Sequence, residues 1–378
     1  MEKRNLDENK MKLLSVIVTV YNGEKHLEET LSYIRNSSYR EIEVIIIDDG
    51  SVDCSAEVYK EFIKNDKRFR AVYQSNKGIV GARNRGIEEA RGEYIVFCDQ
   101  DDITEPFYYE KAIAQIEKDQ SDLCICSTNV QDENGNISPH GVYTNYLCEG
   151  ENIVNQLLIP GLLKNFKIVN NAESKTIKGN WTLWNVIAKR TLITENNLQF
   201  KRNVNFEDDY LFRVDLLLRA KKVSTIDYVG YVWRINLASK SHKFEYIDRI
   251  VEKQQSTRDY VSAKLIEFGH TDAVRVFLPH QICIDIIKIL ENEISIKRNV
   301  WDRKEYLKSN LETLLSEDVV GATKNLCEGE LRYKLCLKLI CQRRFYQAYL
   351  FNKIFKKLIR ILEHMRVATI LTKYLMSS

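Results

Sequence analysis

Three carboxylates follow a predicted buried strand in the stretch YIVFCDQDDI, residues 94–103. Like charges this close repel each other unless water, a cation or a proton intervenes. Asp99 and Asp101 are two residues apart and can project toward one point, whereas Asp102 faces elsewhere. Their oxygen atoms suit a hard divalent cation such as Mg²⁺ or Mn²⁺. The alternative is a solvated turn whose aspartates cap the helix that follows.

A second acidic pair, Asp48 and Asp49, ends another apolar run and precedes a glycine turn. A carboxylate in this position could accept the imide N–H of a uracil, or it could simply close an Asx turn. Tyr21 and Asn22 end the first apolar run in the same way. Polar residues at three strand ends favour a ligand site over three unrelated turns.

The segment NKGIVGARNRG, residues 76–86, combines glycines with arginines. Gly78 and Gly81 would let a ligand approach the backbone closely, and Arg83 and Arg85 would bring positive charge to the same pocket. The spacing matches neither the dinucleotide-binding fingerprint nor the P-loop. The alternative is a helix start that carries surface arginines.

The elements that must hold these residues alternate along the first part of the chain. Strands are predicted at 13–20, 42–48, 69–73, 94–98 and 122–127, and helices near 24–36, 53–65, 80–90 and 106–118. Apolar runs without polar alternation are typical of strands that are covered on both faces. The pattern predicts an α/β fold with a doubly wound, mostly parallel sheet, whose ligand site lies at the carboxyl ends of its strands.

The pattern changes in the second half of the chain. Residues 131–180 are predicted to be irregular, because turn and loop signals dominate there. Ordered segments are then predicted at 181–193, 206–220 and 223–234. From about Glu245 the sequence predicts mostly helix. We therefore predict a nucleotide-sugar-binding and catalytic domain at 1–240 and a mainly helical C-terminal region at 241–378.

Composition excludes several classes of protein. The 378 residues are 44% hydrophobic and 29% charged, which is ordinary for a folded soluble protein. The apolar run at 13–20 is too short for a membrane span or a secretory signal, so an intracellular protein is expected. Nine cysteines without CxxC spacing predict reduced thiols rather than disulfides or a metal site.

Charge is distributed unevenly, although the formal net charge is only +3. Residues 331–378 carry 11 Lys and Arg against Glu363 alone, which gives +10 and leaves −7 for the rest of the chain. The acidic body argues against nucleic-acid binding, and the basic tail suits an anionic partner.

The tail also has the spacing of an amphipathic helix. Its apolar residues are Phe351, Ile354, Phe355, Leu358, Ile361, Leu362 and Met365, and its basic residues are Lys353, Lys356, Lys357 and Arg360. Such a helix either lies on an anionic membrane or docks on the protein with its basic face in water.

Five motifs, in this order, resemble one known family. They are VIVTVYN (16–22), IIIDDGSVD (45–53), NKGIVGARNRGIEEARGEYIVFCDQDD (76–102), WNVIAKR (184–190) and FEDDYLF (206–212). Over roughly residues 11–235 the chain resembles the family 2 glycosyltransferases of GT-A fold. The resemblance implies inverting transfer of a sugar from a nucleotide-diphosphate donor, usually a UDP-sugar, with Mn²⁺ or Mg²⁺ as cofactor.

The resemblance also implies roles for individual residues. Asp208 corresponds to the general base, and Glu207 and Trp184 to the acceptor site, although core packing is the alternative for Trp184. The chemistry needs only one of Glu207, Asp208 and Asp209 as the base, and helix capping is the alternative for these three acids. The implied metal ligands are Asp101, Asp99 and His242, although a solvated loop histidine is the alternative for His242. The implied nucleotide-sugar site consists of Val20, Tyr21, Asn22, Asp49, Gly81, Arg83, Asp99, Gln100 and Asp101. The family's WNK motif ends in Val186 here, so a basic residue near the acceptor is missing.

We therefore expect a hexosyltransferase that moves glucose, galactose or an N-acetyl derivative from UDP to a hydroxyl of a growing bacterial surface glycan. The acceptor is a polysaccharide or the glycan of a serine-rich glycoprotein. The expected location is the cytoplasm, with peripheral binding to the inner face of the cell membrane through the tail.

Two other functions are alternatives. A nucleotidyltransferase acting on sugar phosphates should carry a glycine-rich phosphate loop after the first strand, which TVYNGEKHLEE lacks. An inactive membrane-bound scaffold should have lost Asp101 or the Glu207–Asp208 pair, and all three are present.

Overall fold

The computed structural model describes most of the chain, which divides into two compact units. The described residues are 11–163, 178–179, 182–201, 208–236, 246–323 and 331–364. The first unit holds residues 11–158 and the described residues from 178 to 236, and the second holds 159–163 and those from 246 onward. The predicted domain boundary at residue 240 lies outside the described residues and stays a prediction.

The first unit is built on one sheet, which has eleven strands in the described part of the chain. They are β1 (Leu14–Val20), β2 (Ile42–Asp48), β3 (Phe69–Tyr73), β4 (Tyr94–Asp99), β5 (Ile103–Thr104), β6 (Leu123–Gln131), β7 (Ile137–Val142), β8 (Tyr146–Glu149), β9 (Lys178–Gly179), β10 (Val186–Lys189) and β11 (Lys222–Arg234). Strands β3, β2, β1 and β4 are neighbours in that order and run parallel. Because parallel strands end at one edge of a sheet, the residues after β1, β2 and β4 lie side by side.

The other half of the sheet is mixed. Strand β10 runs antiparallel between β4 and β6, and β11 runs parallel to β6. Strands β5 and β8 pair antiparallel with β11, and β7 lies antiparallel between β6 and β9. The predicted α/β class is confirmed, with helices following the parallel strands.

Helices cover the sheet closely. This unit contains α1 (Leu27–Arg35), α2 (Ser55–Asn65), α3 (Gly78–Glu89), α4 (Tyr108–Asp119), α6 (Arg190–Thr194), α7 (Asp208–Arg219) and a π-helical segment, Ile153–Leu158, while α5 (Ile159–Leu162) belongs to the second unit. All seven residues of β1 are buried. On α3, a Cβ at Gly86 would lie 2.3 Å from Cγ2 of Ile17, so α3 approaches β1 more closely than a side chain allows.

The prediction that residues 131–180 are irregular is wrong for their described first part. Strands β7 and β8 and the π-helical segment lie there. Strand β7 carries Pro139 and Gly141 and is mostly exposed, so its sequence lacks the apolar run that marks a covered strand. Pairing with β6, rather than local propensity, makes it a strand.

The second unit is helical in its described residues, as the sequence predicts for the C-terminal region. Besides α5 it contains α8 (Ile250–Glu267), α9 (Thr271–Ile294), α10 (Val300–Glu312), α11 (Glu317–Ala322), α12 (Leu331–Cys341) and α13 (Phe345–His364). The long helix α9 packs against α8, α11, α12 and α13. Within the ranges given above, no helix is long and apolar enough to cross a membrane.

Candidate active site

The loops that follow β1 and β4 are joined by a pair of hydrogen bonds. The backbone N–H of Tyr21 donates to Oε1 of Gln100 at 2.8 Å, and Nε2 of Gln100 donates to the Tyr21 carbonyl at 3.2 Å. Gly23 makes room for this side chain, since a Cβ there would lie 2.4 Å from Oε1 of Gln100. Val20, the buried last residue of β1, directly precedes this loop. These predicted residues are therefore neighbours in space.

Asn22 connects the loop after β1 to the loop after β2. Its backbone is left-handed, with φ of 51°, a conformation that asparagine adopts more readily than most residues. Its N–H donates to Oγ of Ser51 at 3.1 Å, and its Oδ1 accepts the N–H of Val52 at 2.9 Å. Asn22 thus fixes the relative position of two strand ends.

Asp49 is a buried carboxylate, 3% exposed, that holds the start of α3. Its Oδ1 accepts Nε2 of Gln74 at 2.7 Å and the N–H of Lys77 at 2.8 Å, and its Oδ2 accepts the N–H of Gly78 at 2.8 Å. A negative charge next to the first amides of a helix is favourable. The carboxylate predicted to contact a uracil therefore also positions the helix that carries Gly81 and Arg83.

Asp48, the other member of the pair, has a structural role. Its Oδ1 accepts the N–H of Ser51 at 2.8 Å, which closes the turn after β2, and its Oδ2 accepts the hydroxyl of Tyr59 at 3.0 Å. Burial and the hydrogen bond to Asp48 raise the pKa of Tyr59 to about 12, so this hydroxyl keeps its proton.

Arg83 joins three elements at the centre of the site. It is 5% exposed, its Nη1 donates to Oδ1 of Asp209 at the start of α7, and its Nη2 donates to Oδ1 of Asp99 at the end of β4, at 3.3 Å. The guanidinium also lies over the ring of Phe200, 5.4 Å from its centre. The contact brings the DQDD turn and the FEDD motif to the same edge of the sheet.

Arg85 does not share this position, contrary to the expectation that both arginines face one pocket. Its Nη2 donates to Oε1 of Glu89 at 2.6 Å, one helical turn away on the exposed side of α3. Residues two apart on a helix point in different directions, which explains the difference.

The carboxylates after β4 have three different environments. Asp99 contacts Arg83, and Oδ2 of Asp101 accepts Nδ2 of Asn236 at 3.2 Å. Asp102 is buried and accepts the hydroxyl of Tyr231 at 2.8 Å and the N–H of Arg234 at 2.9 Å. The helix α4 begins only at Tyr108, so Asp102 anchors β11 instead of capping the next helix.

Burial dominates the electrostatics of Asp102. Desolvation raises its pKa well above the usual value, the charges of Asp99 and Asp101 raise it further, and the bonds from Arg234 and Tyr231 oppose the shift. Asp99 and Asp101 are each half-buried, so they remain accessible at the edge of the sheet.

Two oxygen donors in this turn fit a divalent cation. The carboxylates of Asp99 and Asp101 are the ligand type that Mg²⁺ and Mn²⁺ prefer. In the described part of the chain, no three His, Cys, Asp or Glu side chains are arranged to hold a metal ion. The third predicted ligand, His242, lies outside the described residues. The described residues therefore supply two predicted ligands, and the third stays a prediction.

The predicted base lies at the start of α7. Asp208 is the first residue of that helix, and its neighbour Asp209 contacts Arg83. Glu207, the predicted acceptor-side residue, is outside the described residues. Because Arg83 also contacts Asp99, the first turn of α7 lies beside the end of β4.

Trp184 lies in the core of the sheet unit, where it is 6% exposed. Its ring stacks on Tyr231 with 4.6 Å between centres and 16° between planes, and its carbonyl accepts the hydroxyl of Tyr108 at 2.9 Å. This is the packing that the alternative interpretation predicts, and a contact between Trp184 and acceptor stays a prediction.

Two residues of the site were not predicted. Asp209 appeared only as one of three neighbouring acids, and Asn236 was not singled out at all. Asn236 lies two residues past the end of β11. The other loop residues were predicted because they are polar and follow a strand directly, and Asn236 meets nearly the same criterion.

The chain is similar to known glycosyltransferases in sequence and in fold. Residues 15–169 match the family model described as "Glycosyl transferase family 2". A putative glycosyltransferase of Bacillus subtilis, EpsH, is 30% identical over 61% of this chain and 63% of its own length. An uncharacterized glycosyltransferase of the same species, EpsJ, is 27% identical over 88% of this chain and 93% of its own length. The chain thus spans less than two thirds of EpsH but nearly all of EpsJ.

Solved structures with the same fold are also known. The crystal structure of S. aureus TarS, residues 1–349, in complex with UDP-GlcNAc has a TM-score of 0.63 at 17% identity, covering 92% of both chains. At this identity the similarity supports the fold alone. The family model over residues 15–169 and the curated relatives support a family 2 glycosyltransferase, a transferase enzyme, and the fold is of the GT-A type.

Proposed function

We propose that this protein transfers a hexose or an N-acetylhexosamine from a UDP-sugar to a hydroxyl group of a glycan acceptor, with a divalent cation. One observation carries the proposal: Arg83 contacts both Asp99 and Asp209. The acids predicted to bind the donor and the segment predicted to contain the base therefore meet at one place. The predicted donor site and the predicted base could therefore act on the same reaction without a large rearrangement of the protein.

The nucleotide would lie across the loops after β1 and β2. Tyr21 is 42% exposed and offers an aromatic face to a base, while Asp49 offers a carboxylate for an imide N–H. The solved complexes of TarS with UDP and with UDP-GlcNAc, which share this fold, support UDP as the nucleotide.

The donor diphosphate would lie next to the turn after β4. Asp101, with Asp99, would hold the cation there, and a bound divalent cation would neutralise the negative charge that develops on the leaving diphosphate. Arg83 donates to Oδ1 of Asp99 and so restrains the orientation of that carboxylate.

The acceptor hydroxyl would be activated at the start of α7. Asp208 would take the hydroxyl proton as its oxygen attacks the anomeric carbon, and the bond from that carbon to the diphosphate oxygen would break, releasing UDP. The amino end of a helix stabilises the carboxylate form that this base requires. General-base assistance of this kind contributes roughly 10²–10⁴-fold in rate. Glu207 would orient the acceptor.

We also propose that the acceptor is a growing bacterial surface glycan, on a polysaccharide or a serine-rich glycoprotein, and that the enzyme binds the inner face of the cell membrane. Helix α13 supports the second part. Leu350, Ile354 and Leu358 are exposed along one side of it, with Lys353 and Lys357 beside them. Apolar and basic side chains in this arrangement suit an anionic bilayer surface.

The test is hydrolysis of a panel of nucleotide-sugars with and without Mn²⁺. We expect UDP release from one donor, dependent on metal and lowered about 100-fold or more by Asp101→Asn. The control is Asp272→Asn, whose side chain is 95% exposed in the second unit.

The same samples separate the alternatives. Release of pyrophosphate from a nucleoside triphosphate in the presence of a sugar phosphate would identify a nucleotidyltransferase. Failure to bind both UDP and Mn²⁺ would refute the transferase proposal in favour of a scaffold. Binding without hydrolysis would call for the same assay with a glycan acceptor added.

A further inference from the structure

A cavity of about 380 Å³ that is widely open to solvent lies in the second unit between helices α10 and α13. This volume is within the range of small-molecule sites in proteins. The side chains that line it and matter for binding are Lys304, Lys308, Glu312, Arg343, Tyr346 and Gln347. None of them belongs to the site described above.

The lining is strongly basic. It contains three cations and one carboxylate, and that carboxylate, Glu312, pairs with Arg343 at 2.5 Å. Lys304 and Lys308 lie one turn apart on α10, and like charges at this spacing destabilise a helix. An anion between them would remove that repulsion. The cavity therefore carries a surplus of two positive charges that a ligand would neutralise.

The remaining side chains suit a sugar. Nζ of Lys304 lies 5.3 Å from the centre of the Tyr346 ring, which holds the ammonium group at the cavity wall. The Tyr346 hydroxyl and the Gln347 amide both donate and accept hydrogen bonds, as hydroxyl-rich ligands require. Cations, an aromatic side chain and an amide together match a molecule with both a phosphate and a carbohydrate part.

We propose that this cavity binds a phosphate-bearing saccharide that forms part of the glycan acceptor. The proposal rests on the proposed function, because it names the chemical class of the acceptor. It adds a second place of contact, in the helical unit, to the acceptor contacts expected at α7. The phosphate would contact Lys304, Lys308 and Arg343, and the sugar would contact Tyr346 and Gln347.

The test uses the full chain and isothermal titration with glucose 1-phosphate, inorganic phosphate and glucose. We expect glucose 1-phosphate to bind more tightly than inorganic phosphate, binding to weaken as salt rises, and glucose not to bind measurably. The double variant Lys304→Gln/Lys308→Gln should weaken glucose 1-phosphate binding roughly tenfold. Both lysines are exposed, so the variant should fold normally, which circular dichroism would verify.

The matched control is Lys353→Gln/Lys357→Gln, which removes the same charge from exposed positions of α13 outside the cavity lining. It should leave glucose 1-phosphate binding unchanged and should weaken binding to phosphatidylglycerol vesicles. Equal weakening by both double variants would overturn the cavity proposal, because net charge would then explain the binding. Absence of binding at millimolar concentration, or equal binding of glucose, would also overturn it.

A third arm separates the two sources of phosphate. If Lys304→Gln/Lys308→Gln abolished vesicle binding but left glucose 1-phosphate binding intact, the cavity would be a lipid headgroup site and the saccharide proposal would be wrong. UDP binding is measured in every sample. Its absence in the native chain would refute the proposed function, whereas its retention with no saccharide phosphate binding would refute only this inference.

Discussion

The two units of the molecule bury charged residues in different ways. In the sheet unit, Arg83 is buried, but its partners Asp99 and Asp209 remain partly exposed at the edge of the sheet. In the helical unit, Arg258 pairs with Asp285, and both are buried. In the first arrangement the carboxylates are partly exposed to solvent, and in the second neither partner is.

The difference shows that burial of an arginine does not by itself mark a functional site. A buried ion pair that is enclosed on all sides adds little net stability, although breaking it is costly. A buried cation whose partners reach the surface instead orients groups that a substrate can contact. The accessibility of the partners separates the two cases, and the predictions below test this contrast in one unit or in both.

The largest expected effect is that of Arg83→Gln. Donor hydrolysis should fall about 100-fold or more, because Asp99 and Asp209 lose the group that orients them. The free energy of unfolding should fall by about 3 kcal/mol, since two carboxylates lose their shared cation. Enzyme assay and urea denaturation measure the two effects.

Arg85→Gln is the control, and its exposed pair with Glu89 is worth under about 1 kcal/mol. Full activity in Arg83→Gln would contradict the role given to this residue.

The second prediction concerns pH and the helical unit. Burial raises the pKa of Asp285 to about 6, against the opposing influence of Lys288, Arg258 and Gln281. The pKa of Asp285 in the folded state is above the unfolded value of about 3.8. Its contribution to the free energy of unfolding is therefore complete below about pH 4 and is lost as pH rises through 6.

We therefore expect Asp285 to lower the free energy of unfolding by about 2–3 kcal/mol between pH 4 and pH 7. Denaturant unfolding across this range should show the decline in the native chain and a flatter profile in Asp285→Asn. Parallel profiles would mean that Asp285 keeps an ordinary pKa.

The third prediction contrasts two glycines. Gly86→Ala should lower the free energy of unfolding by about 2 kcal/mol, because the new methyl group meets Ile17 of β1. Gly321→Ala in α11 meets nothing within 4 Å in the described part of the chain and should raise the free energy of unfolding by about 0.5–1 kcal/mol through helix propensity. Thermal or urea unfolding of both variants is the measurement. Equal effects would show that α3 can move away from the sheet.

The smallest expected effect is in α13. Asn352 is fully buried, and neither its Oδ1 nor its Nδ2 has a hydrogen-bond partner among the described residues. Replacing it by the similarly shaped leucine should raise the free energy of unfolding by about 1 kcal/mol, since a buried unpaired amide is unfavourable. Asn310→Leu, half-exposed with its amide bonded to the Tyr306 carbonyl at 2.8 Å, is the control and should not stabilise. A destabilised Asn352→Leu would indicate that the amide is satisfied by water.

The ends of the parallel strands in the sheet unit can be predicted from the sequence, because each end is marked within a few residues of the strand itself. Covered parallel strands are apolar runs, so the polar residues Asn22, Asp49 and Asp99 stand out where each run stops. Alternation of strands and helices then brings the ends together without any knowledge of distant contacts.

Contacts between distant segments could not be predicted in this way. Arg83 and Asp209 are 126 positions apart, and no periodicity in either segment points to the other. The short strand β10 lies between β4 and β6 because it pairs with both, not because its four residues favour a strand. The buried ion pair of the helical unit is harder still to predict from the sequence. Asp285 and Arg258 are charged residues on helices, and an amphipathic pattern predicts that such residues face solvent.

One consequence follows from the carboxylate that holds the start of α3. Asp49 receives three hydrogen bonds, from Gln74, Lys77 and Gly78, and only acceptor atoms satisfy all of them. An asparagine would turn its own N–H₂ group toward at least one of these donors, and a glutamate is too long for the same geometry. If homologous enzymes diverge in the sugar they transfer, we expect this position to be among the last to vary, because a change there would also displace Arg83.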